Sequence, residues 1–124
     1  MLVLGDAHAD EADTLRALRA AYAAAAAPVA LQVGDLGVYA VPAPTWFVAG
    51  NNEDFDAVEA LRRGDASLAG ERDLHLLDGV AEVAGLRVAG LSGTYAPTQY
   101  ENARSELAGE RRRHFVREDV ERVL

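Results

Sequence analysis

Val29-Ala30-Leu31-Gln32-Val33-Gly34-Asp35 is a short apolar run that stops on a glycine and a carboxylate. A run of this length closed by a turn residue reads as a buried strand entering a loop. The same shape recurs on both sides of it. Upstream, Met1 to Leu4 is apolar and ends at Gly5-Asp6. Downstream, Thr45-Trp46-Phe47-Val48-Ala49 ends at Gly50-Asn51, after Pro42 and Pro44 have broken the chain. Between the first two runs, Ala12, Leu15, Leu18 and Tyr22 recur at helical spacing, with Asp10 as the expected N-cap. The Ala23–Ala27 run prolongs that helix at little cost, and Pro28 ends it. Two strands joined by a helical crossover predict a parallel pair, and with it an α/β class.

Further along, residues 53–63 predict a second helix with Phe55, Val58 and Leu61 on one side and Gly64 after its end. Short strands follow at Leu74–Leu77, Val80–Ala84 and Leu86–Leu91, with Asp78-Gly79 and Gly85 read as the turns between them. Residues 92–100 read as a loop. Residues 101–124 are charge-rich and read as partly helical, burying Phe115, Val116, Val120 and Val123. The chain of 124 residues and 13.2 kDa reads as a single domain over 1–124, long enough to bury a core.

Composition narrows the class. Half of the residues are hydrophobic and 26% are charged, which argues against disorder. No apolar run reaches the roughly 18 residues of a membrane span, and no basic stretch precedes the first one as in a signal peptide. A cytoplasmic location is the expectation. The absence of Cys rules out disulfides and thiolate metal sites. There are 20 acids and 12 bases, every base an Arg. The acids concentrate early, with nine against two Arg in residues 1–59. Such a half repels a phosphate backbone unless cations intervene, so nucleic acid enters only as a substrate.

The three strand ends carry the chemistry. Asp6-Ala7-His8 places a carboxylate and an imidazole two residues apart, on the same side if the chain is extended. Gly34-Asp35-Leu36-Gly37 sets a carboxylate on a glycine-flanked turn, and Gly50-Asn51-Asn52-Glu53 offers an amide carbonyl just before a helix. Ligands of open α/β sheets collect at the carboxyl ends of strands, so the three ends should converge. No G-x-G-x-x-G follows the first strand, which weakens a Rossmann-type nucleotide site.

The order D-x-H, G-D and G-N-x-[DE] resembles the calcineurin-like metallophosphoesterases. That resemblance implies a four-layer αββα sandwich and two divalent ions (Mn, Fe or Zn). It implies Asp6 and His8 on the first ion, Asp35 bridging, and Asn51 on the second. A dinuclear centre would activate water to hydrolyse a phosphomonoester or phosphodiester. Leu74-His75-Leu76-Leu77-Asp78-Gly79-Val80, with Gly85-Leu86-Arg87-Val88-Ala89-Gly90-Leu91-Ser92-Gly93, is similar to the lariat-debranching branch of the family. Like that branch, the chain lacks the second Asp of G-D-x-x-D, where Val38 stands.

Two departures set further expectations. The family's third motif has a His where this chain has Asn52, which implies a catalytic role for that position filled by a residue that donates a hydrogen bond but no proton. Glu53 is its expected polar support. Family members also continue into a separate His and a G-H-x-H. Here His75 sits in an apolar strand and His114 follows Arg111-Arg112-Arg113, neither within that motif. The resemblance therefore reads as the front portion of a longer domain, truncated on its C-terminal side, with the second ion held weakly. An exposed sheet edge or apolar face, and with it a homo-oligomer, is expected. The competing expectation is a catalytically incompetent remnant or assembly module. Arg104, Arg111, Arg112, Arg113 and Arg117 read as a solvated face paired with Glu106, Glu110 and Glu118, and Tyr95 and Tyr100 as loop packing.

Overall fold

A computed structural model describes residues 1–65 and 73–124. Its first half alternates strand and crossover: β1 (Leu2–Leu4), α1 (Ala12–Ala25), β2 (Ala30–Val33), β3 (Thr45–Val48), α2 (Phe55–Arg62) and β4 (Leu74–Leu76). These strands form one parallel sheet in the order β1-β2-β3-β4. β5 (Gly79–Val83) and β6 (Leu86–Gly90) form a separate antiparallel pair, and α3 (Arg117–Val123) lies against β5. The molecule is thus an α/β domain with parallel and antiparallel sheets flanked by helices.

The topology decides which side of the sheet is covered. Each step of the parallel sheet moves in the same direction, and parallel crossovers are right-handed almost without exception. α1, the β2–β3 connection and α2 therefore fall on one face. Register puts Leu2, Leu4, Ala30, Gln32, Thr45, Phe47, Leu74 and Leu76 on that side. They meet Leu15, Leu18 and Tyr22 of α1, Val58 and Leu61 of α2, and Leu36 and Tyr39 of the β2–β3 connection. The Tyr22 hydroxyl and Thr45 Oγ1 pair at 2.7 Å across this interior. The alternate residues Val3, Leu31, Val33, Trp46, Val48 and His75 share the other face, and none belongs to the core. Val3 is 54% exposed and Val33 51%.

Several local expectations shift. The residue capping α1 is Glu11 rather than Asp10, and Thr14 Oγ1 bonds back to the His8 and Glu11 carbonyls instead. The helix ends at Ala25, where Ala26 turns left-handed and returns its N–H to Tyr22. The turn at Asp78-Gly79 is not a hairpin: β4 pairs in parallel with β3, and the chain then leaves that sheet to begin the β5–β6 pair. Only Ala84-Gly85, both at positive φ, forms a two-residue hairpin turn. The tail is helical in short pieces, with 3-10 turns at Arg104–Glu106 and Gly109–Arg113 before α3. Val116 is fully buried, whereas Phe115, Val120 and Val123 are half-buried.

A closed ring of alternating charges fastens this tail. Arg104 reaches Asp119 at 3.1 Å and Glu59 at 3.6 Å. Glu59 also pairs with Arg62, which reaches Asp78 at 2.7 Å. Arg122 completes the circuit between Asp78, at 3.5 Å, and Asp119. Arg104 is further bound to the carbonyls of Arg112 and His114, and Asp119 accepts the Val116 N–H at the start of α3. The expected solvated face is therefore corrected for Arg104, which lies inside. Arg112 pairs with Asp56 of α2 and Arg117 with Glu101, so these partners are also other than the expected ones.

Candidate metal centre

The parallel register brings the carboxyl ends of β1, β2 and β3 side by side, and the loops beyond them stay laced together. Asp6 donates its N–H to the Gly34 carbonyl, His8 to Asp35 and Ala9 to Leu36, at 2.8–2.9 Å. Gly34 in turn donates to Val48. On this frame a ligand atom from each of Asp6, His8 and Asp35 comes within 4.8 Å of the others, the one such cluster among the described residues. His8 Nε2 lies 2.9 Å from Asp6 Oδ1 and 3.5 Å from Asp35 Oδ2. Exposure is graded across the cluster: the side chains of Asp6, His8 and Asp35 are 80%, 41% and 12% accessible.

The backbone that achieves this is not extended, as the Asp-x-His spacing alone suggests. Asp6, His8 and Asp35 have φ of 56°, 45° and 50°. Among the described residues only Ala26 and Ala84 share this region without being glycine, at a helix end and a hairpin turn. Left-handed backbone costs roughly 1–2 kcal/mol for most residues with a Cβ and less for Asp and His, the side chains found here, whose polar groups can bond locally. Here it curls His8 back so that its ring returns to the Asp6 carboxylate. Strain of this kind gathers where a surrounding structure holds side chains for a purpose.

The third strand end closes on the second. A Cβ on Gly50 would fall 2.0 Å from Asp35 Oδ1 and 2.5 Å from its backbone nitrogen, so the approach needs a glycine there. Asn52 donates to Asp35 twice, from its backbone N–H to Oδ1 at 2.8 Å and from Nδ2 to Oδ2 at 3.1 Å. Asn51 Oδ1 lies 3.5 Å from Asn52 Nδ2, on the edge of the group. A cleft of about 410 Å³ opens beside it, lined by His8, Asp10, Asn51, Asn52, Glu53 and Glu110 among others.

Glu53 is more deeply used than its place after the two asparagines suggests. Oε1 accepts the N–H of Leu36 at 2.8 Å and of Gly50 at 3.3 Å. Oε2 accepts the Gly37 N–H at 3.3 Å and the Tyr39 hydroxyl at 2.6 Å. The Tyr39 oxygen then accepts the Asp54 N–H at 2.9 Å, while the Asp54 side chain caps α2 through Asp56 and Ala57. Burial and the bond to Glu53 hold the Tyr39 phenol well above its ordinary pKa. Tyr39 was not legible as a site residue; the only hint was an aromatic residue four positions beyond Asp35.

The electrostatics are one-sided. The hydrogen bond to Asp6 raises His8 above the usual imidazole value against the opposing effect of burial, and the charges of Asp6, Asp35 and Asp10 add to the rise. Two carboxylates and an imidazole are donors that manganese, iron and zinc accept, and the three can hold one metal ion. His75 and His114 do not join them. His75 is exposed on edge strand β4 and stacks on Trp46 at 4.7 Å, and His114 bonds to the Thr94 hydroxyl. Tyr95, Tyr100 and Phe115 pack on one another, as expected of loop residues. Comparison with protein-family models, with curated proteins and with solved structures finds no match.

Proposed function

We propose that residues 1–124 form a calcineurin-like metallophosphoesterase domain, related to the lariat-debranching branch, that hydrolyses a phosphate mono- or diester. The observation that carries the reading is the strained convergence of Asp6, His8 and Asp35 at neighbouring ends of a parallel sheet. In this reading Asp6, His8 and Asp35 hold the first divalent ion, and Asp35 with Asn51 holds a second, weaker one. Bound metal supplies Lewis acidity toward the phosphoryl oxygens and an activated water. His8 must be neutral to serve as a donor, which Asp6 opposes by stabilising its proton. Asn52, by gripping both oxygens of Asp35, fixes the carboxylate that this reading has shared between the two ions. In this reading the parallel sheet with helices on one face would form one outer half of a four-layer sandwich, and the β5–β6 pair would begin the other sheet; the separate antiparallel pair supports it.

The test is turnover of a nitrophenyl phosphodiester with added Mn²⁺. Manganese-dependent hydrolysis that disappears in Asp35→Ala is expected. Metal-loaded protein without turnover, and an Asp35→Ala variant identical to it, would overturn the enzyme reading. One observation favours a second reading, a non-catalytic assembly module: an all-parallel sheet is ordinarily covered on both faces, and this one leaves Val3 and Val33 open. Among the described residues, the strand side chains on that face (Val3, Leu31, Val33, Trp46, Val48 and His75) carry no formal charge, so a second copy can cover it despite a net charge of -8 per chain. Light scattering that finds oligomers in the wild type, and monomers after Val33→Lys, supports that reading.

A further inference from the structure

The Glu53 carboxylate joins the backbones of two loops at the positions next to the proposed donors. Leu36 follows Asp35, Gly50 precedes Asn51, and the N–H groups of both converge on one oxygen, Glu53 Oε1. The other oxygen takes Gly37 and Tyr39, so each has two donors and the carboxylate is held from both sides. Charge-assisted bonds of this sort are stronger than neutral ones. Tyr39 anchors the arrangement from below, its ring 6.0 Å from that of buried Phe47 and its hydroxyl tied to the first residue of the α2 cap. Neither Glu53 nor Tyr39 belongs to the Asp6–His8–Asp35 cluster.

We infer that Tyr39 and Glu53 act as a positioning pair that sets the separation of the Asp35 and Asn51 loops and so tunes metal affinity, an inference that rests on the metal-binding reading above. Groups that orient metal ligands without touching the ion typically contribute 10–100-fold in affinity. Tyr39→Phe removes one donor to Glu53 and the acceptor of Asp54 N–H while keeping the ring on Phe47. Glu53→Gln keeps the shape but replaces one accepting oxygen with an amide that can only donate.

The test is calorimetric Mn²⁺ binding to wild type, Tyr39→Phe, Glu53→Gln and, as a control, Glu82→Gln, an exposed residue of the separate β5–β6 pair, at a temperature where circular dichroism shows each variant folded. Mn²⁺ electron paramagnetic resonance reports the symmetry of the site alongside. Affinity should fall about tenfold in Tyr39→Phe and toward about 100-fold in Glu53→Gln, with an altered resonance spectrum and no change in Glu82→Gln. Variants that bind Mn²⁺ as tightly as the wild type would overturn the positioning role and leave the metal reading standing. Affinity lost only in proportion to the unfolded fraction would also overturn it, by reducing the pair to a structural tie. A wild type that binds no Mn²⁺ would instead remove the metal reading itself. Tyr39→Phe, the milder change, keeps the test available if Glu53→Gln does not fold.

Discussion

Two groups of charged side chains in this molecule are built on opposite rules. The ring of Glu59, Arg62, Asp78, Arg122, Asp119 and Arg104 alternates in sign, closes on itself and sums to zero. It sits on ordinary backbone, and Asp119 is 1% exposed. The Asp6–His8–Asp35 cluster has two carboxylates, one imidazole and no arginine partner, on backbone turned left-handed at all three residues. The first arrangement satisfies its own charges and holds the tail to the domain. The second brings two carboxylates and an imidazole together with no cationic arginine among them, an arrangement able to hold a metal ion.

The contrast is sharpest at Arg104. Arg104→Ala leaves Asp119 and Glu59 facing a broken circuit and frees two carbonyls, and removing one partner of a buried pair costs about 3–5 kcal/mol. Urea denaturation should show that loss, and an unchanged midpoint would mean that the ring is ornamental. Next in size is the response of the cluster to pH. Because Asp6 raises His8, the apo protein has this stabilisation in full below the unfolded imidazole value, about 6.5, and loses it as pH rises through the folded value. Metal reverses the slope, since the ion must displace the His8 proton. Mn²⁺ affinity should climb by about tenfold per pH unit up to the raised value and then level off. A flat profile from pH 5.5 to 8 would exclude His8 as a donor. The smallest effect is the most diagnostic. Asp6→Gly removes one carboxylate while permitting the same left-handed turn, so it should weaken Mn²⁺ binding with a change in fold stability of no more than about 1 kcal/mol. Unchanged Mn²⁺ affinity in that variant would exclude Asp6 as a donor.

The strand ends were legible because each is marked twice, by an apolar run and by the glycine that ends it. Asp6, His8, Asp35 and Asn51 could therefore be placed at one edge of the sheet from spacing alone. The way the first three meet could not. Nothing in Asp-Ala-His specifies left-handed backbone, which is imposed by the bonds from Asp6, His8 and Ala9 to the β2 loop. The ring was equally hidden, because its partners come from positions as far apart as Glu59 and Arg104 and meet only once α3 has docked. Asp78-Gly79 misled for a related reason: the dipeptide signals a change of direction, but only the pairing of Leu74–Leu76 with β3 reveals that the chain is changing sheets.

Trp46 is the single tryptophan of the chain, and β3 sets it on the bare side of the sheet, stacked against His75. Indole emission moves to the blue as water leaves the ring, so this residue is a native optical gauge of anything that settles over that surface. A fluorimeter can therefore report directly on whether that surface is covered in solution.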